Sequence, residues 1–304
     1  MNFPFGTAEH PITINLYALI KCLMNKIKKR AMCWKKILQA ISGGNGGSGL
    51  PEFTKNTISQ IVVNDYPGTA NDLRGCLNDA DDFKAAILAK WPHYKFRTFK
   101  DTEATKARFK EEIKGNVSMV EVGDLFLSIM DCCFSESNTR NPGNPLMVAG
   151  RFAPNPELPP RRVIKSRVLR GTKAGNYLAI SACLDHQTAA DAVFNRRYNG
   201  ALTYCLIENL KRGITYRQWV DATNASLRKY KFEQVATLEG PDELKDRMIF
   251  EGNVNCIQDS SHGSYTYDRD GDETDGQDEM VYLVDGGVVD DEVNAIIATN
   301  PVLV

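Results

Sequence analysis

A pair of adjacent cysteines and a distant histidine are the residues of this sequence best suited to covalent chemistry. Cys132 and Cys133 follow the apolar residues 125–130, and His262 precedes a glycine far downstream. The apolar run predicts a buried strand, so the thiols would lie at its carboxyl end. An imidazole delivered from another strand end would take the thiol proton, and the sulfur would attack a carbonyl carbon. The alternative is that both cysteines are small apolar residues of the core.

Strands and helices alternate along most of the chain. Because this alternation favours a parallel sheet with helices on its faces, we expect an α/β fold with three layers and a mostly parallel central sheet. Short apolar runs predict strands at 57–63, 94–99, 125–130, 177–183 and 234–238. Helical periodicity predicts helices at 71–90, 104–113, 200–211 and 216–230.

The N-terminal part of the chain differs from the rest in charge. Residues 11–42 contain seven lysines and arginines and no acidic residue, and their apolar residues recur at helical spacing. We therefore predict a basic amphipathic helical segment at 1–42, which would lie on an anionic membrane surface, dock on a partner, or pack on its own domain. The glycine-rich residues 43–56 predict a flexible linker. A separate domain then spans residues 57–304.

Composition excludes several classes of protein. A formal net charge of −1 provides no global attraction to nucleic acid, so no nucleic-acid partner is expected. The eight cysteines include no Cys-x-x-Cys pair and have no regular spacing, which argues against a disulfide framework or a zinc site. A reducing compartment, the cytoplasm, is therefore expected. No apolar run approaches the roughly 18 residues of a membrane-spanning helix.

Four sequence blocks between residues 57 and 304 carry a recognisable pattern. They are 66–69 with 73–80 (Tyr-Pro-Gly-Thr and Leu-Arg-Gly-Cys-Leu-Asn-Asp-Ala), 131–135 (Asp-Cys-Cys-Phe-Ser), 181–192 (Ser-Ala-Cys-Leu-Asp-His-Gln-Thr-Ala-Ala-Asp-Ala) and 260–263 (Ser-Ser-His-Gly). Together they resemble the metacaspases, a group of caspase-like cysteine peptidases. The resemblance implies a caspase-like three-layer sandwich and cleavage of protein or peptide substrates after arginine or lysine.

The resemblance also implies roles for particular residues. Cys133 would be the nucleophile and His262 the general acid/base, with the backbone N–H groups of Gly263 and Cys133 as oxyanion donors. The residues that would bind the substrate side chain are Asp79, Asp131 and Ser181. The alternative is that both aspartates are structural: Asp79 would be a residue on a helix face and Asp131 a cap at a strand end.

The order of the blocks departs from the family pattern. In metacaspases the histidine strand precedes the cysteine strand, whereas here residues 254–304, which contain His262, stand at the C-terminus. We interpret this as a transposed segment, natural, engineered or introduced when the sequence was assembled. If the transposed strand left His262 far from Cys133, the chain would instead be a catalytically silent scaffold that binds partners.

Two further segments suggest regulation. Residues 138–172 are rich in proline and basic residues, which predicts an exposed loop that an Arg/Lys-specific peptidase could cleave in itself. The stretch 268–291 is acidic and begins with carboxylates on alternate residues, at 268, 270 and 272, as a calcium loop requires. The resemblance implies calcium stimulation through Asp290 and Asp291, with Asp275 as a third ligand. A solvated acidic loop and a calcium-binding module without catalysis are the alternatives.

Overall fold

The computed structural model describes residues 52–133, 144–153, 175–184, 187–268 and 277–304. The predicted basic segment 1–42, residues 43–51 of the predicted linker, and Asp275 lie outside these ranges. Within them, the first strand begins at Thr57, where the sequence predicts that the domain starts. None of the helices in these ranges is long and apolar enough to cross a lipid bilayer.

The described residues form twelve strands and six α-helices. The strands are β1 (Thr57–Val62), β2 (Lys95–Lys100), β3 (Leu125–Asp131), β4 (Met147–Gly150), β5 (Tyr177–Ser181), β6 (Ala190–Phe194), β7 (Arg197–Gly200), β8 (Thr237–Glu239), β9 (Val254–Ser260), β10 (His262–Tyr267), β11 (Gln277–Leu283) and β12 (Gly286–Val289). The helices are α1 (Cys76–Lys90), α2 (Lys106–Ser118), α3 (Ala201–Glu208), α4 (Tyr216–Lys229), α5 (Asp242–Lys245) and α6 (Asp290–Ile297).

Six strands form the central sheet, in the order β2-β1-β9-β3-β5-β8. All neighbouring pairs from β2 to β5 are parallel, and β8 is antiparallel to β5. The strands β1, β3 and β9 are buried along their whole length, as expected for a sheet covered on both faces.

Helices pack on both faces of this sheet, as two successive residues of β1 show. The hydroxyl of Ser59 donates to Glu112 of α2 at 2.7 Å, and the amide of Gln60 donates to the carbonyl of Ala80 in α1 at 2.9 Å. Because successive side chains of a strand point to opposite faces, α1 and α2 cover opposite sides of the sheet. The predicted three-layer α/β fold with a mostly parallel sheet is therefore confirmed.

The C-terminal strand β9 lies in the middle of the sheet. It pairs in parallel with β1 on one side and with β3 on the other, so that Asp131 of β3 is opposite Ser260 of β9. Segment 254–304 thus supplies a central strand. Because parallel neighbours end at the same edge, the chain segments that follow β3 and β9 emerge side by side.

Two small antiparallel sheets flank the central one, in the orders β4-β6-β7 and β10-β11-β12. Neither sheet is predicted from the sequence, because their strands are short or carry several polar residues. β4 falls inside the predicted exposed loop 138–172. Of the described residues there, Pro145 and Val148 are exposed, but residues 147–150 form a strand that pairs with β6, and the side chain of Arg151 is completely buried.

Candidate active site

The two chain segments that carry Cys133 and His262 touch each other through their backbones. Cys133 lies two residues after β3 ends, and His262 is the first residue of β10, directly after the turn that ends β9. A side chain at Gly263 would overlap the backbone carbonyl group of Cys133. Only glycine permits this close approach, so glycine at position 263 is a steric requirement of the contact. Both Cys133 and His262 are buried.

Two groups near the start of the domain orient the ring of His262. Its Nε2 atom is hydrogen-bonded to the carbonyl oxygen of Asn71 at 2.6 Å, and its backbone N–H donates to the hydroxyl of Tyr66 at 2.8 Å. The Tyr66 and His262 rings also pack together, with centroids 4.9 Å apart. Since a carbonyl oxygen can only accept, the proton of the neutral ring is assigned to Nε2. That tautomer leaves the lone pair on Nδ1, the nitrogen able to receive a proton.

Burial sets the protonation states of both groups. It lowers the pKa of His262 to about 4, although the hydrogen bond to Asn71 opposes that change. It raises the pKa of the Cys133 thiol well above its usual range, and a hydrogen bond with Cys183 adds to the effect. Thiol and imidazole are therefore both neutral in this closed arrangement.

The Cys133 sulfur is held by the backbone of a neighbouring segment. The N–H of Ala189 donates to Sγ at 2.8 Å, and Sγ lies 3.4 Å from the carbonyl oxygen of the same residue. In the described part of the chain no hydrogen bond joins Sγ to the ring of His262. Contacts between catalytic groups are often loose until a substrate is bound and aligned.

The carbonyl oxygen of Arg151 lies between the two amides that are predicted as oxyanion donors. It accepts the N–H of Cys133 at 3.0 Å and the N–H of Gly263 at 3.1 Å. These two donors thus converge on one point, with the spacing that an oxyanion hole requires. A peptide carbonyl of the chain itself already occupies that point.

The side chain of the same residue lies in a pocket of three carboxylates. Its guanidinium is 2.7 Å from Asp79, 3.1 Å from Asp191 and 3.4 Å from Asp131. It also donates to the carbonyl oxygen of Asp131 at 3.1 Å and to the hydroxyl of Ser260 at 3.2 Å. All three carboxylates are buried with it.

Of the predicted substrate-binding residues, the structure brings Asp79 and Asp131 to the guanidinium. Ser181 is half-buried at the end of β5 and is not among the described residues that hydrogen-bond to the guanidinium. Asp191 does contact it but was missed in the sequence, although it lies in the block 181–192. The block contains two acidic residues, but the sequence does not show where the pocket lies and so does not indicate that either of them contributes to it.

Backbone and hydroxyl donors hold the carboxylates in place. Gly200 N–H and Ser260 Oγ donate to Asp79 at 2.9 and 3.0 Å, and Thr203 donates to Asp131 through N–H and hydroxyl at 2.9 and 2.7 Å. A side chain at Gly200 would collide with the guanidinium and with Asp131. The pocket is therefore shaped for a long cationic side chain.

Three carboxylates outnumber the single guanidinium, and this charge imbalance perturbs the pocket. Burial raises the pKa of Asp79 to about 7; the nearby guanidinium opposes this shift, and the negative charges of Asp131 and Asp191 reinforce it. Burial would lower the pKa of Arg151, but the surrounding carboxylates raise it well above its usual range. The arginine is therefore held as a cation in a site with excess negative charge.

We call residues 147–153 the cleft segment, because they cross the carboxyl edge of the sheet as an extended peptide. Before Arg151, β4 pairs antiparallel with β6, and the N–H of Arg151 donates to Ala189 at 2.9 Å. After it, the N–H of Ala153 donates to the carbonyl oxygen of Gly263 at 2.9 Å. Main-chain hydrogen bonds on both sides fix this peptide as an added strand would be fixed.

Two of the three predicted calcium ligands, Asp290 and Asp291, lie at the start of α6. Asp290 is buried, and burial raises its pKa to about 8, with further contributions from the charges of Glu279 and Asp291. Within the described ranges no group of three or more histidine, cysteine or acidic side chains has the arrangement to hold a metal ion. Asp275 lies outside those ranges, so the calcium site stays a prediction.

Comparison with known protein families finds no family that matches the chain, and no curated protein matches it either. Among solved structures, the protein GSU0716 from Geobacter sulfurreducens is similar, with 17% sequence identity and a TM-score of 0.44. The match covers 66% of this chain and 98% of that one.

Proposed function

We propose that this chain is a cysteine endopeptidase that hydrolyses peptide bonds after arginine or lysine, with Cys133 as nucleophile and His262 as general acid/base. One observation carries the proposal. Arg151 places its side chain among three buried carboxylates while its carbonyl oxygen accepts from the N–H groups of Cys133 and Gly263. A specificity pocket and an oxyanion hole thus act on a single residue, as cleavage after that residue requires.

The chemistry follows from these positions. His262 takes the thiol proton on Nδ1, the sulfur of Cys133 bonds to the carbonyl carbon, and the oxygen gains negative charge between the two amides. The C–N bond then breaks and the imidazolium returns its proton to the leaving amine. Water next attacks the thioester carbon and its proton passes to His262. The C–S bond then breaks to release the acid, and the imidazolium returns the proton to the sulfur, which restores the thiol.

The pocket favours arginine over lysine. Two nitrogens of the guanidinium reach different carboxylates, whereas a lysine ammonium is a single point donor. Both cations remain substrates, because the charge of the pocket attracts either one.

The same geometry supports self-processing at the Arg151–Phe152 bond. Incubation of the purified chain should produce a fragment that begins with Phe152, identified by intact mass and N-terminal sequencing. Cys133→Ala and Arg151→Gln should both abolish that fragment. Arg228→Gln, which changes an exposed arginine of α4, is the matched control and should leave it unchanged. Persistence of the fragment in Cys133→Ala would overturn the assignment of the nucleophile.

Cleavage in trans is tested with fluorogenic peptides that end in arginine, lysine or aspartate, with and without millimolar calcium. Hydrolysis after arginine and lysine that disappears in Cys133→Ala supports the peptidase, and a higher rate with calcium supports the proposed stimulation. The proposed setting is a reducing compartment such as the cytoplasm, in which a free thiol persists. No turnover under any of these conditions rejects the proposal.

The closed state of the cleft favours a second candidate, a catalytically silent scaffold that binds partners. The cleft segment fills the pocket, and both Cys133 and His262 are neutral. A scaffold would hold a basic peptide without cleaving it. It predicts that iodoacetamide fails to label Cys133 even after long incubation, whereas a peptidase that has cleaved its own segment becomes labelled.

A further inference from the structure

The residue after Arg151 is recognised by an aromatic side chain of β10. The ring of Phe152 stacks on the ring of Tyr265, with centroids 5.7 Å apart and an interplanar angle of 16°. Tyr265 is only 1% exposed, while Phe152 is half-buried. An offset, nearly parallel pair of this kind contributes attraction beyond the apolar area it buries.

Backbone contacts hold this pair at a defined distance from the cleavage point. Ala153 donates its N–H to the carbonyl of Gly263 at 2.9 Å, and the hydroxyl of Ser264 donates to the carbonyl of Ala153 at 2.6 Å. The two residues that follow Arg151 are therefore anchored to the strand that also carries His262.

The alternation of β10 explains why Tyr265 is available for this contact. Side chains at positions two apart share one face of a strand, so Gly263 and Tyr265 face the same way. A side chain at Gly263 would run into Cys133, which identifies that face as the one turned to the cleft. Pairing with β11, where Tyr265 lies opposite Glu279, keeps the strand in register.

We infer that the leaving-group side of the cleft selects an aromatic residue directly after the cleaved arginine, and that Tyr265 is the specificity-determining residue. Substrates of the sequence class Arg-Phe, Arg-Tyr or Arg-Trp are then preferred over Arg followed by a small residue. This inference rests on the proposed function, since it names the substrate class of the same site.

The test uses the full-length chain and two internally quenched octapeptides. One has the sequence of residues 146–153, Leu-Met-Val-Ala-Gly-Arg-Phe-Ala, and the other has alanine in place of phenylalanine. We expect kcat/KM to be about fivefold or more higher for the first peptide, from the stacking of one aromatic pair. A fluorogenic arginine amide, which has no amino acid after the arginine, reports the proposed function separately.

Variants on the same strand locate the preference. Tyr265→Leu should reduce the ratio of the two kcat/KM values towards one, and Tyr265→Phe should preserve it. The matched control is Tyr267→Leu, because Tyr267 lies two residues further along β10 and is 60% exposed. The control should keep the wild-type ratio. A ratio that falls equally in Tyr267→Leu and Tyr265→Leu would contradict the assignment.

The outcomes separate the two proposals. Hydrolysis of the arginine amide with equal kcat/KM for both octapeptides overturns the inference and leaves the peptidase intact. No hydrolysis of the amide overturns the peptidase, and the affinities of labelled octapeptides for the Cys133→Ala chain then decide the inference. Tighter binding of the phenylalanine peptide supports it, and equal or undetectable binding overturns it.

Discussion

Replacing Asp79 by asparagine tests the arginine pocket directly. The carboxylate of Asp79 accepts from the guanidinium of Arg151 at 2.7 Å, from Gly200 N–H at 2.9 Å and from Ser260 Oγ at 3.0 Å. The asparagine oxygen can still accept from Gly200, but the NH₂ group then replaces the oxygen that faces the guanidinium. Two donors would oppose each other inside a buried pocket.

The structure allows the size of the effect to be bounded. Removal of one partner from a buried, hydrogen-bonded charge pair costs about 2–5 kcal/mol. Two carboxylates remain here, and the pKa of Asp79 near 7 shows that the pocket already resists its charge. The loss therefore falls at the lower end, about 2–3 kcal/mol, which corresponds to a decrease of about 30- to 150-fold in kcat/KM for arginine substrates.

The assay is hydrolysis of a fluorogenic arginine amide, with thermal unfolding as a check on folding. Asp82→Asn is the matched control, because Asp82 lies in the same helix and pairs with Arg197 near the surface at 2.8 Å. Such pairs contribute about 0–1 kcal/mol, so the control should retain nearly the full rate. A folded Asp79→Asn chain that cleaves the amide as fast as the wild type would refute the pocket.

The wild type and Asp79→Asn should also differ in pH dependence. As the pH rises, ionisation of Asp79 should lower the stability of the wild type and raise its activity. The pKa of Asp79 is higher in the folded chain, about 7, than its ordinary value of 3.8. Its contribution to stability is therefore fully present below about pH 4 and is lost as the pH rises through 7. Ionisation improves binding of the cation, so kcat/KM for arginine substrates should rise through about pH 7. Asp79→Asn should lack both steps, and an identical step in the variant would assign it to another group.

Three further predictions concern the surroundings of the site. Tyr66→Phe leaves the buried backbone N–H of His262 without its acceptor and should lower the free energy of unfolding in urea by about 1–3 kcal/mol, whereas an unchanged value would exclude that role. Gly200→Ala places a methyl group where the Arg151 guanidinium lies and should reduce self-cleavage and arginine-amide hydrolysis by about tenfold or more; wild-type rates would contradict this. The pKa of Asp290 is about 8 in the folded chain, so its contribution to stability is lost as the pH rises from about 4 to 8. Asp290→Asn should therefore raise Tm at about pH 8.5 and have little effect at about pH 4. A difference in Tm that does not depend on pH would refute this prediction.

Much of the architecture could be predicted because it is encoded locally. Apolar runs and helical periodicity located the buried strands β1 and β3 and the helices α1 and α4 within a few residues of their observed ends. Reactive side chains at strand ends can also be recognised by residue type and spacing. For this reason the amino-acid sequence alone indicates Cys133 and His262 as candidates for nucleophile and general acid/base. Their roles stay predictions until cleavage is measured.

The remaining features depend on contacts between distant parts of the chain. The position of β9 between β1 and β3 is one of them: Gln258 accepts a hydrogen bond from Gln60, 198 residues away, and no local pattern encodes that pairing. Asp191 joins the pocket only because β6 brings it there. The β10-β11-β12 sheet was missed because β11 begins with polar residues that resemble an acidic loop.

Arg151 shows most clearly what the amino-acid sequence determined and what the tertiary structure decided. In the sequence it is one of several basic residues in a proline-rich segment, and its charge indicates an exposed loop. Full burial of a guanidinium becomes tolerable only where opposite charges and hydrogen bonds replace its water, and here three carboxylates from separate segments do so. The sequence by itself thus determined the types of reactive residue and the elements that carry them. The tertiary structure decided which of them meet, because a charged pocket forms only when distant segments converge.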